Sequence, residues 1–541
     1  MRLRELLPHT MHTHNPDISG LAAHTRDVQP GFIFAALPNL HTDHTNPEHI
    51  SEAVRRGAVA VIARPDAGDH VRDAVLIPHD NPRKHLAALA ARFHSPHPTH
   101  KLAVTGTDGK TSVAALAQNL LAGALGVSVG YIGTLGNSPK LESPDSPLTT
   151  PDPVTLARKL AEMKRGGVDH VVLEASSHGL HQERLSGFQF SAACFTGIGR
   201  DHGDYHPTPE EYLLAKSRLF TELLAPDATA VICDGCDGAA KVIALLSAKR
   251  PDVSIIRYQT NNADSSDAPV IVSDDNNGGA VNVSTAPDNG DTVNVPVNVR
   301  DTFIVPNQIK EFRHTRDGAS VVLQIGKHTR AVNVPFYARF QAENLLAALL
   351  LSSCVINDSE ATPKLMRAAE SVSAIPGRLQ RVTPPPSHRL EACEFFVDFA
   401  HTPDAVGGVL HALRDRRRAL NTQGRLIIVL GAGGDRDQHK RAPMGKIAAT
   451  LADTVVITDD NPRGENPADI RAEILRGAKR ENAAAVNVSR GREAAIHSAV
   501  SAMKAGDTLV VTGKGHETTQ HINDSEIPFS DADTLNNTLA K

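Results

Sequence analysis

Leu102-Ala-Val-Thr-Gly106-Thr-Asp108-Gly109-Lys110-Thr111-Ser112 is the stretch on which the reading of this chain turns. Its apolar start predicts a short strand, its glycines a turn, and Val113-Ala-Ala-Leu-Ala-Gln-Asn-Leu-Leu a helix opening directly after it. Glycines let backbone N–H groups turn inward without a Cβ clash, and a helix N-terminus adds partial positive charge. That is the build of a phosphate cradle. Lys110 would reach the terminal phosphates, and the Thr111 hydroxyl would ligate Mg²⁺. Only two residues separate Gly106 from Gly109, where the common P-loop has four. A chance Gly-rich turn is the plain alternative; Lys-Thr directly after Gly109 favours an ATP site of contracted spacing.

The rest of the chain sets bounds. At 541 residues it is too long for one core, which predicts about three domains. Hydrophobic residues at 40% and charged residues at 22% suit a globular protein, and a net charge of −5 points to neither nucleic acid nor an anionic membrane as partner. Met1-Arg-Leu-Arg-Glu-Leu-Leu-Pro lacks a signal-peptide core, and no run approaches the ~18 apolar residues of a membrane span. Five sparse cysteines (194, 233, 236, 354 and 393) fit a reducing cytoplasm. Cys233-Asp-Gly-Cys236 has no second pair at zinc-ribbon spacing and reads as coincidence. A monomer is the expected state.

Outward from the cradle, residues 1–98 read as a small α/β unit. It has strands over Gly31–Leu37 and Ala58–Ala63, a helix over Ile50–Gly57, and a linker at His94-Ser-Pro-His-Pro-Thr-His100. Residues 99–375 alternate strand and helix signals, which predicts a mostly parallel sheet. Within them, 261–300 is turn-rich, while Val295-Pro-Val-Asn-Val and Val321-Val-Leu-Gln-Ile suggest an antiparallel excursion without assigned chemistry. Ile375-Pro-Gly-Arg378 marks the next boundary. In 376–541, Arg425–Gly431, Thr454–Asp459 and Thr508–Gly513 are buried parallel-strand candidates. Their following loops carry Asp435, Arg436 and Asp437; Asp459 to Arg463; and Gly513 to Glu517. Ligands gather at the carboxyl ends of such strands, so these loops should line one crevice.

Three constellations carry chemistry. Glu174 ends the Val171-Val-Leu-Glu strand opposite the cradle, where Mg²⁺ is commonly held; a helix-capping carboxylate is the structural alternative, and the cradle upstream favours the first. Arg200-Asp201-His202-Gly-Asp204-Tyr-His206 is open to three readings. These are a His/Asp dinuclear metallohydrolase, a polar loop with N-caps, or a loop supplying one ligand to nucleotide-bound Mg²⁺. Lys216 lies on an amphipathic helix over 210–220, where spacing alone reads it as a solvated side chain.

Taken together these motifs resemble the Mur ligase family, ATP-dependent amide-forming enzymes of peptidoglycan assembly, and within it the branch that adds the third residue. The resemblance runs nearly end to end. It rests on Gly106–Thr111, Thr149-Thr150-Pro-Asp, Glu174-Ala-Ser-Ser-His-Gly-Leu with Gln182 and Arg184, Arg200–His206, Pro376-Gly-Arg378, Asp398-Phe-Ala-His401-Thr-Pro-Asp404, and the three C-terminal loops. It implies an α/β fold of three domains: a small N-terminal UDP-binding domain, a central P-loop ATPase-like parallel sheet and a C-terminal Rossmann-like domain that brings the amino acid. The implied reaction moves the γ-phosphate of ATP to the D-Glu carboxylate of UDP-N-acetylmuramoyl-L-alanyl-D-glutamate. An amine then attacks the acyl phosphate. Such chemistry is mainly positioning and charge neutralisation.

The same resemblance implies the site. Lys110, Glu174, His202 and Lys216 would be catalytic, with Lys216 carbamylated by CO₂. Two Mg²⁺ would be held by Thr111, Glu174, His202 and that carbamate. ATP would meet Gly106 to Ser112 (Thr107, Asp108, Gly109, Lys110 and Thr111 between them), Asn344, Arg378, Asp398 and His401. The muramoyl peptide would meet Thr25, His41, Thr149, Thr150, Ser176, Gln182 and Arg184. Asp460-Asn461-Pro462-Arg463 is the loop form that goes with meso-diaminopimelate. A guanidinium grips that substrate's distal carboxylate bidentately, and L-lysine offers none. Arg436, Gly513 and Glu517 would complete the pocket, Glu517 facing the distal ammonium.

The sequence also departs from the family pattern. Asp108 replaces Asn, Gly197-Ile-Gly199 precedes Arg-Asp-His where Asn-Leu-Ser is commoner, and Ala338-Arg-Phe-Gln-Ala-Glu-Asn344 replaces Gly-Arg-Phe-Asn. His24-Thr25-Arg26 and Asn39–His44 stand for Asp-Ser-Arg and a Gly-rich loop. The competing readings are an L-lysine-adding, folylpolyglutamate-like or cyanophycin-like ligase, and a nucleotide-binding relative without turnover.

Overall fold

A computed structural model describes residues 1–8, 14–39, 45–141, 146, 148–259, 307–479 and 485–540, with the backbone of Val281–Val283 and Val293–Val295. His41 lies outside the described residues, as does most of the 261–300 insert. Of the latter only Val281–Val283 and Val293–Val295 are described, paired antiparallel.

Three principal sheets organise the chain. Gly20–Ala22, Phe32–Ala35, Ala60–Ala63 and Val75–Pro78 form a parallel four-stranded sheet in that order. The helix expected over 50–57 runs Pro47–Arg55, because Asn46 accepts from the Glu48 N–H and Pro47 supplies a preset φ at the first turn. Helix Pro82–Phe93 then buries Leu86 and Leu89 against this sheet and Ala90 and Ala91 in the core of the next.

The second sheet has ten strands, and the expectation of a mostly parallel sheet with an antiparallel excursion matches it. His100–Thr105 lies inside, parallel to both Phe190–Phe195 and His170–Glu174. The antiparallel parts are the meander Gln308–Thr315, Gly318–Ile325, His328–Val334 at one edge and Gly136–Ser138 against Val129–Gly133 at the other. Helix Lys110–Leu125 packs on helix Arg339–Ser353 through Leu116, Leu120, Leu346 and Leu350. That packing fixes the cradle relative to Asn344, one turn inside the second helix.

The third sheet orders Gln380–Val382, Glu394–Asp398, Thr508–Thr512, Leu426–Leu430, Thr454–Ile457 and Ala485–Val488, the last five parallel. Adjacent parallel strands end on one side, so the loops after Asp398, Thr512, Leu430 and Ile457 are neighbours. Arg492 braces this end: its Nε and Nη2 each donate to Asp531 at 2.7 Å, and both side chains are fully buried. Arg492→Met should therefore cost about 3–5 kcal/mol, because it strands a buried carboxylate. The check is urea unfolding followed by far-UV circular dichroism, since the chain has no Trp. An unmoved transition would mean the pair adds no net stability.

Candidate active site

At the carboxyl end of His100–Thr105 the chain turns sharply. Gly109 has φ +84°, and a Cβ there would sit 2.8 Å from Asn344 Oδ1, so close approach and backbone both require glycine. The turn is stitched to the loop after Phe195: Thr107 N–H donates to Gly197 O at 2.9 Å, and Gly199 N–H to Thr107 Oγ1 at 2.8 Å. Glycines at 197 and 199 thus stand against the cradle itself. Lys110 folds back on its own loop, donating to Gly106 O and Thr107 O at 2.9 and 2.7 Å. The Asp108 side chain is exposed, with no hydrogen bond or ion pair among the described residues; its carbonyl accepts from Thr196 Oγ1.

Glu174 is 1% exposed and fully engaged. Its carboxylate accepts from Thr111 Oγ1 (2.9 Å), Tyr131 OH (2.5 Å), Thr134 N–H (2.9 Å) and Thr134 Oγ1 (3.0 Å). Burial, then the adjoining Glu174 charge, pushes the Tyr131 phenol well above its usual range, so it stays a donor. Of the two readings open for Glu174, the one facing the cradle is what this geometry matches; among the described residues it caps no helix. Arg378 Nη2 donates to Thr111 Oγ1 at 3.1 Å, and its Nη1 is buried without a partner. Beside it Asp398 accepts from Leu379 N–H and Ala400 N–H, at 2.6 and 2.7 Å. Burial raises its pKa to about 6 against the pull of Arg378.

The solvated reading of Lys216 is overturned. Helix Pro209–Thr221 is covered on more than one face, and Lys216 is 1% exposed, donating to Gly106 O at 2.7 Å over the Tyr212 ring. Burial, then the Lys110 charge, drives its ammonium well below the usual value, which favours the neutral amine. His202 has φ +55° and packs edge-on to His178 with centroids 4.7 Å apart; burial lowers it to about 3 although Asp201 opposes this. Among the described residues no three His, Cys, Asp or Glu side chains converge as a metal cage, so Asp201, His202, Asp204 and His206 do not form the dinuclear cluster considered above.

One hydrogen-bonded chain joins most of the residues assigned to the muramoyl peptide. Thr134 Oγ1 donates to Thr149 Oγ1 (3.2 Å), Ser176 Oγ to Thr150 Oγ1 (3.0 Å), Arg184 Nη1 to Thr150 O (2.8 Å) and Arg184 Nη2 to Gln182 Oε1 (2.7 Å). Thr25, in the turn Thr25–Asp27, is joined to none of them by a hydrogen bond among the described residues.

The loops of the third sheet do line one crevice, a cavity of about 680 Å³ between Arg436, Asn461, Arg463 and Glu517. A Cβ on Gly433 would lie 2.9 Å from Arg463 Nη1 and 3.8 Å from Arg436 Cγ, so both side chains converge on it. Burial and then Arg436 lower the pKa of Arg463, as expected where two guanidinium groups face one space. Gly513, at φ +114°, has Asp460 Oδ2 where a Cβ would stand. Glu517 lines this cavity, and its Oε2 accepts from Lys514 Nζ (2.7 Å) and Asn461 Nδ2 (2.9 Å). His516 joins the two centres, Nε2 lying 3.1 Å from Thr134 O.

Comparison with known proteins agrees. The Mur ligase middle domain model matches residues 104–309, and the Mur ligase glutamate ligase domain model matches 377–515. The chain belongs to the Mur ligase family. It is 38% identical over 515 residues, 95% of this chain and 92% of the other, to a UDP-N-acetylmuramoyl-L-alanyl-D-glutamate--2,6-diaminopimelate ligase of Brucella melitensis. A solved structure of a ligase of that name is 28% identical with TM-score 0.64, covering 100% of this chain and 99% of its own. A MurF ligase from Thermotoga maritima in complex with ADP is 15% identical with TM-score 0.54, covering 92% and 94%. At that identity it shares only the fold.

Sequence reasoning about this Mur ligase missed Tyr131, Thr134, Lys514, His516 and the hairpin Thr519–Ile522/Ser525–Pro528, which adds His521, Asn523 and Asp524 to the cavity. Gly-Lys-Gly-His-Glu was in view, but nothing local marks Lys514 as fully buried. Among the described residues no helix is long and apolar enough to cross a membrane.

Proposed function

We propose that this chain joins meso-2,6-diaminopimelate to the D-Glu carboxylate of UDP-N-acetylmuramoyl-L-alanyl-D-glutamate, using ATP through an acyl phosphate. The observation that carries the reading is the junction of two centres. His516 binds Thr134 O, while the amide and hydroxyl of Thr134 hold Glu174. A short hydrogen-bonded path through His516 and Thr134 thus links the loop that carries Glu517 to the carboxylate facing the phosphate cradle, which supports a shared site. We assign residues 1–98, 99–375 and 376–541 to UDP, ATP and amino-acid binding.

The donor set fits Mg²⁺: Thr111 and Glu174 offer hard oxygens, and Lys216 would add a carboxylate once carbamylated, beside the neutral His202 imidazole. When bound, the two ions would offset phosphate charge during transfer. Lys110, now satisfied by two carbonyls of its own loop, would turn to the β- and γ-phosphates, and the unpartnered Nη1 of Arg378 would take a phosphate oxygen. Asn344 borders the cradle, and Asp398 and His401 would line the nucleotide side. Thr149, Thr150, Ser176, Gln182 and Arg184 would orient the D-Glu carboxylate toward the γ-phosphate, with Thr25 and His41 reserved for the UDP end. The amine of diaminopimelate, its distal carboxylate forked by Arg436 and Arg463, would then attack the acyl carbon and release phosphate.

ADP release should require both the UDP-dipeptide and meso-diaminopimelate. A coupled ADP assay over an amino-acid panel checks this, and equal turnover with L-lysine would overturn the specificity.

A further inference from the structure

The nucleotide-sugar substrate of the proposed reaction carries uridine at one end, a dipeptide at the other and a diphosphate between them. Those charges call for a cation near the seam between residues 1–98 and the central sheet. Among the described residues the first unit has two half-buried arginines, Arg64 and Arg83. Arg64 Nε lies 3.6 Å from Asp66 Oδ1, whereas Arg83 makes no ion pair among the described residues. A guanidinium does not shed its proton, so one drawn half out of water without a counterion suits an anionic ligand.

Arg83 is fixed from both sides. It stands in the first turn of helix Pro82–Phe93, which Asn81 caps by accepting from Lys84 N–H at 3.1 Å. Asn81 Nδ2 in turn donates to Glu183 Oε1 at 3.0 Å, which ties this helix end to the turn carrying Gln182 and Arg184. Glu183 is itself buried and already paired with Arg218 at 2.6 Å. On the other side Arg83 Nη2 donates to Pro38 O at 2.8 Å, one residue before Asn39–His44, the stretch that stands for the loop beside uracil. Its Nε and Nη1 have no hydrogen-bond partner among the described residues. Burial lowers the pKa of Arg83 although Tyr205 opposes it, and burial and then Arg83 lower that of Arg184. The two guanidinium groups therefore share one field, reached from different domains.

Resting on the function proposed above, we infer that Arg83 binds the diphosphate of the UDP-muramoyl peptide. Its remaining N–H groups would meet phosphate oxygens while Nη2 keeps Pro38. Arg184, further along the same substrate, is left to the peptide.

The test uses the full-length protein and two probes, UDP and uridine, each followed by ligand-observed NMR titration. Arg83→Gln keeps a donor for Pro38 O and removes the charge. It should weaken UDP binding about tenfold, the scale of one charge-assisted contact, and leave uridine within about twofold. Arg83→Lys, which keeps the charge, should recover part of the loss. Equal losses for UDP and uridine would mean that Arg83 only holds Pro38, and unchanged UDP binding would mean that it meets no phosphate; either result overturns the inference. If the wild type bound no UDP at all, the proposed function would fall first and this assignment with it.

Discussion

Lys216→Ala should lower turnover by about a thousandfold, the scale of removing one preorganised electrostatic group, and formate or acetate should restore part of it. The argument begins with protonation. Burial and the neighbouring Lys110 hold Lys216 well below the usual lysine range. A neutral amine can attack CO₂, forming a C–N bond as one C=O electron pair moves to oxygen and the amine proton leaves to buffer. The product is a carboxylate where a cation stood, next to Gly106 O and within the field of Lys110. A merely structural lysine would also be missed, because Lys216 donates to Gly106 O at 2.7 Å. Rescue separates the two roles: a small carboxylate can replace a carbamate, and it cannot replace an N–H donor. Stripping the wild type of CO₂ should slow it, with recovery on adding bicarbonate. Full activity in the unrescued variant would remove the carbamate from the mechanism.

The cradle was legible because its signal is local. Two glycines, a lysine and a threonine within six positions constrain the backbone wherever they occur, and Gly109 meets Asn344 as such a turn must. The amino-acid crevice was legible for a similar reason, since parallel strands end on one side whatever surrounds them. What stayed hidden depended on which faces meet. The helix Pro209–Thr221 has one apolar stripe in sequence but is covered on more than one face, so periodicity sent Lys216 to solvent. Tyr131 and Thr134 hold Glu174 only because Val129–Gly133 lies beside His170–Glu174 in the sheet, a neighbour relation that no spacing encodes. Lys514 reads as a surface lysine between glycines until Asn461, Glu517 and Thr519 close around it. The hairpin beyond it is short and polar, with too little alternation to announce strands. The Asn46-Pro47 cap, by contrast, was present in the sequence and passed over.

Arg463→Ala should lower kcat/KM for meso-diaminopimelate by about a hundredfold, the cost of leaving a bound carboxylate without its half-buried partner. KM for ATP and the UDP-dipeptide should stay within about twofold, since independent sites contribute additively. The selectivity of the loss follows from how the side chain is held. Arg463 Nη1 donates to Gly434 O at 2.9 Å, which leaves the rest of the guanidinium fork for a ligand. Lysine at this position would keep the charge and lose the fork, so Arg463→Lys should recover less than half of the lost binding energy. Arg436 meets the same space from the opposite loop, and the double replacement should cost more than the sum of the two single ones, because either guanidinium left alone still partly neutralises the carboxylate and only the double replacement removes both. The L-lysine comparison decides between binding and exclusion. If a half-buried Arg463 guanidinium left without its carboxylate is what rejects lysine, Arg463→Ala should narrow the preference for meso-diaminopimelate by losing the better substrate and improving the poorer one. A variant that lost both substrates equally would place Arg463 in holding the loop rather than in choosing the amino acid.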